Sequence, residues 1–233
     1  MPPRLLVGAV FGATPLAERF ERAGHTVRPL DIHDDPGAVA HADLVLLDGP
    51  SADIRAACER VADHARPRQM FLHTALEEGQ QLLDDVETSH AITMCAHNIF
   101  DNVWVTSAAD ELGETVVGLL IAEIGGVSLR IADQARPAIA AAQELRAMEA
   151  VVRDDALELL TQAVPGFDAV APQFLQALAG PRTTRSPARL EQLVQAVPDP
   201  GAKRLFVDLV RRRGEVDGDT DTELWAIHKY EGG

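Results

Sequence analysis

The spacing of apolar positions changes part-way along the chain. Up to about residue 132, short strand-like runs recur, most of them followed by turn residues and then by apolar positions at helical spacing. Leu5, Leu6, Val7 and Ala9 open the series, and residues 26–30, 43–47, 69–73, 91–95 and 127–131 continue it. Leu44 to Leu47, apolar throughout rather than alternating, suits a strand buried on both faces of a parallel sheet. Residues 91–95 run on into 96–100, and 103–106 is expected to pair nearby. Helical spacing appears over 16–24, in a short piece at 38–42, and from Ser51 through Ile54, Ala57, Cys58 and Val61. It appears again over 76–83 and over 108–124, where Gly125 and Gly126 stop it. This alternation predicts an α/β fold built on a doubly wound, mostly parallel sheet.

From Asp133 onward the strand-like runs stop. A long alanine-rich, glycine-poor stretch over 136–163 reads as one helix, broken by Pro165 and Gly166. Further helices are expected over 169–178, 188–197 and 202–213, with a turn at Gly180 and Pro181 and a helix start around Thr183, Thr184, Ser186 and Pro187. Arg211, Arg212 and Arg213 are read as the end of the last of these, where cations complement the helix dipole. The acidic, glycine-containing residues 214–221 are expected to be loose until Leu224, Trp225 and Ile227 pack. The division is therefore an α/β domain over 1–132 and an all-α domain over 133–233 for dimerisation and substrate. The alanine-rich helix has a large apolar surface to bury, which predicts a homodimer.

Composition narrows the function classes. The net charge of −15 argues against nucleic acid, which needs a basic surface. No apolar run approaches the roughly 18 residues of a membrane span, so no membrane partner is expected. Residues 1–4 carry no signal-peptide pattern. Cys58 and Cys95 stand far apart with no metal spacing, which suits a reduced, cytoplasmic setting. No metal site is expected.

The opening unit carries the first chemistry. A dinucleotide site uses one glycine for the tight turn, a second to let backbone approach the pyrophosphate, and a third for helix–sheet packing. Counted back from Gly24, these places fall on Gly8, Val10 and Ala13. Alanine is acceptable at the third. Valine at the second is expected to stand where a phosphate should lie. Asp31 closes the second strand, where a carboxylate accepts the ribose hydroxyls of NAD and disfavours the 2′-phosphate of NADP, a preference that nearby Arg28 blurs. Asp48 and Thr74 stand at the ends of the third and fourth strands, where open α/β sheets bind ligands. His97, beside Asn98, is the leading acid/base candidate, because a ketone reduction needs a proton donor in histidine's range. Asn98 is expected to help hold the oxygen, and His73 sits on the same rim one strand earlier. For each histidine the competing reading is a ring hydrogen-bonded within a loop.

The order of elements resembles small Rossmann-like proteins with a helical C-terminal domain of unknown function. These are distantly similar to 6-phosphogluconate dehydrogenase, prephenate dehydrogenase and ketopantoate reductase. Three stretches carry the resemblance: Gly8 to Asp31; Phe71-Leu72-His73-Thr74; and Ala179-Gly180-Pro181 followed by residues 186–193. It implies an NAD or NADP cofactor, a small-molecule substrate and pairing through the helical domain. It also implies polar residues on the first long C-terminal helix, yet the matching places carry Ala140, Ala147 and Met148. The only lysines, Lys203 and Lys229, come too late for the lysine acid/base of those relatives. The expectation is a divergent NAD(P)-dependent oxidoreductase for a small carbonyl or hydroxy-acid compound. The alternatives are a pseudoenzyme that has lost dinucleotide binding and serves as a dimeric small-ligand-binding or interaction module, and non-redox chemistry in the same cleft.

Overall fold

A computed structural model describes residues 4–176 and 186–231. Ala179, Gly180, Pro181, Thr183 and Thr184, which carried the expected turn and part of the resemblance, lie outside the described residues. The chain divides into two compact units, residues 1–143 and 144–233.

The first unit holds a seven-stranded sheet: β1 (Leu6–Ala9), β2 (Thr26–Pro29), β3 (Leu44–Leu47), β4 (Met70–His73), β5 (Ile92–Phe100), β6 (Val103–Ala108) and β7 (Val127–Arg130). Its order is β2-β1-β3-β4-β5-β6-β7. Pairing is parallel except between β5 and β6, which form an antiparallel pair with a register shift between Asn98 and Phe100. The helices of this unit are α1 (Pro15–Arg22), α2 (Ser51–Val61), α3 (Asp84–Glu87), α4 (Glu111–Glu123) and the start of α5 (Arg136–Ala163).

The apolar runs became strands because both faces of the sheet are covered. In β3 all four residues are buried. Leu44 and Leu46 face α1 and α4, whose Leu16, Phe20, Leu120 and Ile121 complete one core. Val45 and Leu47 face α2, whose Ile54, Ala57, Cys58 and Val61 complete the other. Alternate residues of a strand point to opposite faces, so a strand with two buried faces has no polar places. α1 starts at Thr14, whose side chain accepts the Ala17 N–H at 3.2 Å, with Pro15 as its first residue. His25 follows its end and is buried: its Nδ1 accepts the Leu5 N–H at 3.2 Å and its Nε2 lies 3.1 Å from Glu123.

The helix expected over 76–83 does not form as such. Residues 80–83 make a single 3₁₀ turn leading into α3. Leu82, Leu83 and Val86, the apolar residues of this segment, are buried against the α2 side of the sheet, which a short turn achieves without a longer helix.

The second unit contains the rest of α5, then α6 (Ala171–Gln176), α7 (Pro187–Gln195), α8 (Pro200–Asp217) and α9 (Thr220–Glu231). Val194, Val207 and Ala226 form its core, with Phe206 and Trp225 packed against them. The expectation of a loose 214–221 is overturned. α8 continues past Arg213, because the three arginines pair forward along the helix: Arg211 and Arg212 with Glu215 at 3.2 and 3.1 Å, Arg213 with Asp217 at 3.2 Å. Gly218, at φ +68°, then turns the chain directly into α9. Gly214 lies inside α8 and lets the start of α9 approach: a methyl group there would stand 2.8 Å from the Glu223 amide nitrogen.

Candidate functional site

The strand ends carry a connected polar series. The Thr74 hydroxyl, just past β4, donates to Asp48 Oδ1 at 2.7 Å, just past β3. The Thr74 carbonyl lies 2.8 Å from His97 Nδ1 on β5. A carbonyl can only accept, so Nδ1 carries the proton. His97 Nε2 lies 3.1 Å from Gln143 Oε1 on α5, and the Gln143 amide donates to the Asn98 carbonyl at 3.4 Å. With the amide in this sense both ring nitrogens of His97 face acceptors, which a doubly protonated ring satisfies. Turned over, the amide would donate to Nε2 but set its oxygen against the Asn98 carbonyl. In either arrangement Nδ1 keeps its partner, and Nε2 is the ring nitrogen whose role depends on the sense of the amide.

Asn98 itself does not join His97. Its side chain donates to the Asp101 and Val103 carbonyls at 3.1 and 3.2 Å and closes the β5–β6 turn. Consecutive residues of a strand point to opposite faces, so neighbours in sequence here are not neighbours in the site. Gln143 takes the place expected of Asn98. Sequence reading passed over it, although Arg136, Ile139, Ala140 and Gln143 follow the helical spacing of one face.

His73 is not on the rim. It is wholly buried, and neither ring nitrogen makes a hydrogen bond; the backbone of Gly79 is its polar neighbour. Burial, reinforced by the nearby Arg136 charge, pulls its pKa down to about 4, so it stays neutral. It belongs to a buried row across three strands, since His73 pairs in register with Cys95 and Cys95 with Ser107. Arg136, the first residue of α5 and 2% exposed, covers that row. It donates to Ser107 Oγ at 2.5 Å, to Cys95 Sγ at 3.4 Å and to the Leu76 carbonyl at 3.2 Å, and pairs with Asp133 at 2.8 Å. Burial raises the Cys95 thiol pKa despite the guanidinium, so Cys95 is a neutral packed thiol. Arg136 thus pins the start of the helix that presents Gln143.

The residues of the opening unit line a different place, a cleft of about 1030 Å³ beside the ends of β1 and β2 and α2. Val10, Phe11, Gly12, Leu30, Asp31, Asp53 and Arg60 are among its walls. Asp31 Oδ1 accepts the His33 and Asp34 N–H groups at 3.0 and 3.2 Å, which leaves its other oxygen for a ligand. Gly8 is packed: a methyl group there would run into the Leu30 side chain and stand 3.1 Å from Ala42. Gly12, at φ +77°, makes the turn that leads to exposed Ala13. Val10 keeps its N–H on the Leu46 carbonyl at 3.1 Å and packs against the α2-side core. The Phe11 ring lies on Gly49, just past β3, so closely that a methyl group on Gly49 would meet it at 2.8 Å.

Among the described residues no group of three or more His, Cys, Asp or Glu is arranged to hold a metal ion, and no helix is long and apolar enough to cross a membrane.

Residues 132–229 match the family model described as 6-phosphogluconate dehydrogenase C-terminal domain-like. Two solved structures align over nearly the whole length of both chains. An imine reductase from a Pseudomonas species superposes with a TM-score of 0.66 at 12% identity, covering 97% of this chain and 99% of its own. A pyrroline carboxylate reductase from Plasmodium falciparum with NADP bound gives 0.59 at 9%, covering 98% and 97%. A Bacteroides fragilis protein provisionally assigned as an NADP oxidoreductase gives 0.65 at 14%, covering 91% and 98%. This chain is a Rossmann-like protein with a helical C-terminal domain. Identities this low speak for fold alone. No curated protein matches the sequence.

The pyrroline carboxylate reductase of similar fold holds NADP, and against such a dinucleotide the residues here match one end better than the other. The cleft beside Asp31 mixes apolar walls with charged ones, and Asp31 sets a carboxylate where a ribose could meet it. The diphosphate is a poorer match. Thr14 already occupies the Ala17 N–H, Pro15 has none to offer, and the Phe11 ring fills the space over Gly49.

Proposed function

We propose that this chain is a divergent NAD(P)-dependent oxidoreductase acting on a small carbonyl or hydroxy-acid compound. The observation that carries this reading is the series Asp48–Thr74–His97–Gln143, which runs from just past the ends of β3 and β4, where open α/β sheets bind their ligands, to β5 and α5. The likeness of fold to a pyrroline carboxylate reductase with NADP bound supports it. His97 exchanges a proton with the substrate oxygen through Nε2, and Gln143 orients the ring. Asp48 orients Thr74, whose carbonyl holds Nδ1–H. Asp31, with Gly8, Val10 and Ala13 around the first turn, serves the nucleotide end. His73 supports the site from beneath and touches no substrate. The protein works in the cytoplasm as a homodimer paired through its C-terminal helices.

Phe11 on Gly49 favours a second reading, a pseudoenzyme that has lost the dinucleotide and binds another small ligand. Calorimetric titration with NADH and NADPH separates the two. Binding of either is expected; no heat and no thermal shift at millimolar cofactor would overturn the oxidoreductase reading. Where turnover is measurable, His97→Ala is expected to lower it about 10²–10⁴-fold while leaving cofactor affinity unchanged. Unchanged turnover would remove His97 from the mechanism.

A further inference from the structure

The misfit at the diphosphate is local and has one visible cause. β1 is flanked by β2 on one side and β3 on the other, so the sheet's switch point lies at β1 and β3. A ligand laid across the strand ends there passes between residues 10–14, after β1, and residues 48–50, after β3. The Phe11 ring spans that gap. Three of its carbons lie 2.8 to 3.1 Å from where a side chain on Gly49 would begin. Ring and glycine are complementary, because any side chain at position 49 would force the ring out. Phe11 also lines the roughly 1030 Å³ cleft that contains Asp31, so the ring stands on the border between that cleft and the gap.

We propose that Phe11 is the residue that sets dinucleotide affinity in this protein: seated on Gly49 it separates the nucleoside cleft from the site around His97, and a dinucleotide binds only after the ring has left. The proposal rests on the reading that the cleft beside Asp31 takes the adenosine end of a dinucleotide. It separates the two ends of the ligand, because adenosine fills its cleft without crossing the gap and NADPH must cross it.

The test compares NADPH, NADH and adenosine by calorimetry on the full chain and on Phe11→Ala and Phe11→Leu, each checked for folding by circular dichroism and Tm. Phe11→Leu keeps apolar volume but lacks the ring's reach, which guards against a packing defect in Phe11→Ala. The expected result is dinucleotide binding tightened at least about 10-fold in Phe11→Ala and by less in Phe11→Leu, with adenosine affinity unchanged. A native protein that is silent to dinucleotide while Phe11→Ala binds it supports the proposal equally. If the native protein binds NADPH and both variants stay within two-fold of it, Phe11 has no such role, while the dinucleotide reading stands. If adenosine tightens as much as NADPH, Phe11 merely obstructs the cleft and the proposal fails. If none of the three proteins binds a dinucleotide, the oxidoreductase reading falls and this one with it.

Discussion

Two histidines on adjacent strands show how far one residue type can diverge. His97 is half-buried, with both ring nitrogens in contact with polar groups; His73 is wholly buried with neither. An unpartnered buried imidazole is tolerated only while neutral, and that has a consequence for stability. The His73 pKa is lowered from the ordinary 6.5 to about 4 in the folded chain. Between those values the unfolded chain binds the extra proton and the folded chain does not, so this contribution to stability is complete above pH 6.5 and is lost as the pH falls toward 4. Its size is about 3 kcal/mol at most. Chemical denaturation of the native protein and of His73→Leu at pH 7 and pH 4.5 checks this. The native protein is expected to lose the more stability between the two; equal losses would show that His73 carries no such penalty.

Among the elements, the α8–α9 pair departs most from what the sequence suggested. The expectation of a loose stretch over 214–221 rested on its glycines and acidic residues, which are features of exposed turns. The glycines do two different jobs. Gly218 adopts the left-handed conformation that ends α8, and Gly214 gives up its side chain so that α9 can approach. Gly214→Ala raises helix propensity but sets a methyl group against the backbone of Glu223. The clash dominates, because backbone at that distance cannot move aside cheaply. A loss of about 1–3 kcal/mol is expected in urea unfolding. Gly118 lies in α4 with open space around it, so Gly118→Ala is the control, with an expected gain of about 0.5–1 kcal/mol. Similar effects at both positions would mean that Gly214 is not a packing glycine.

At the scale of the whole molecule, α5 beyond Gln143 carries large apolar side chains that are exposed in the single chain. Leu145, Met148 and Val152 lie along one stripe of that helix and are exposed, as is Val151. Exposed large apolar side chains at helical spacing are what an interface between chains requires, and the proposed homodimer would bury this stripe. Light scattering after size exclusion is expected to give twice the 25.1 kDa chain mass. Replacing Leu145 and Met148 by Glu is expected to yield monomer; a monomeric native protein would reject the dimer.

The apolar runs at β1, β3, β4 and β5 were legible without coordinates, because a strand buried on both faces needs an unbroken hydrophobic stretch. The bounds of α5 were legible for a similar reason: nothing between Arg136 and Ala163 interrupts a helix. Asp48 and Thr74 could be placed at strand ends by counting along those runs, whereas β5 runs on past His97 to Phe100 in pairing with β6. Tertiary structure alone decided the rest. It set His97 and Asn98 on opposite faces, buried His73 under Arg136, brought Gln143 to His97 across 46 residues of chain, and seated Phe11 on Gly49. Each of these depends on which two distant segments meet and at what distance. Hydrophobic period records only whether a position is buried, and not what lies against it.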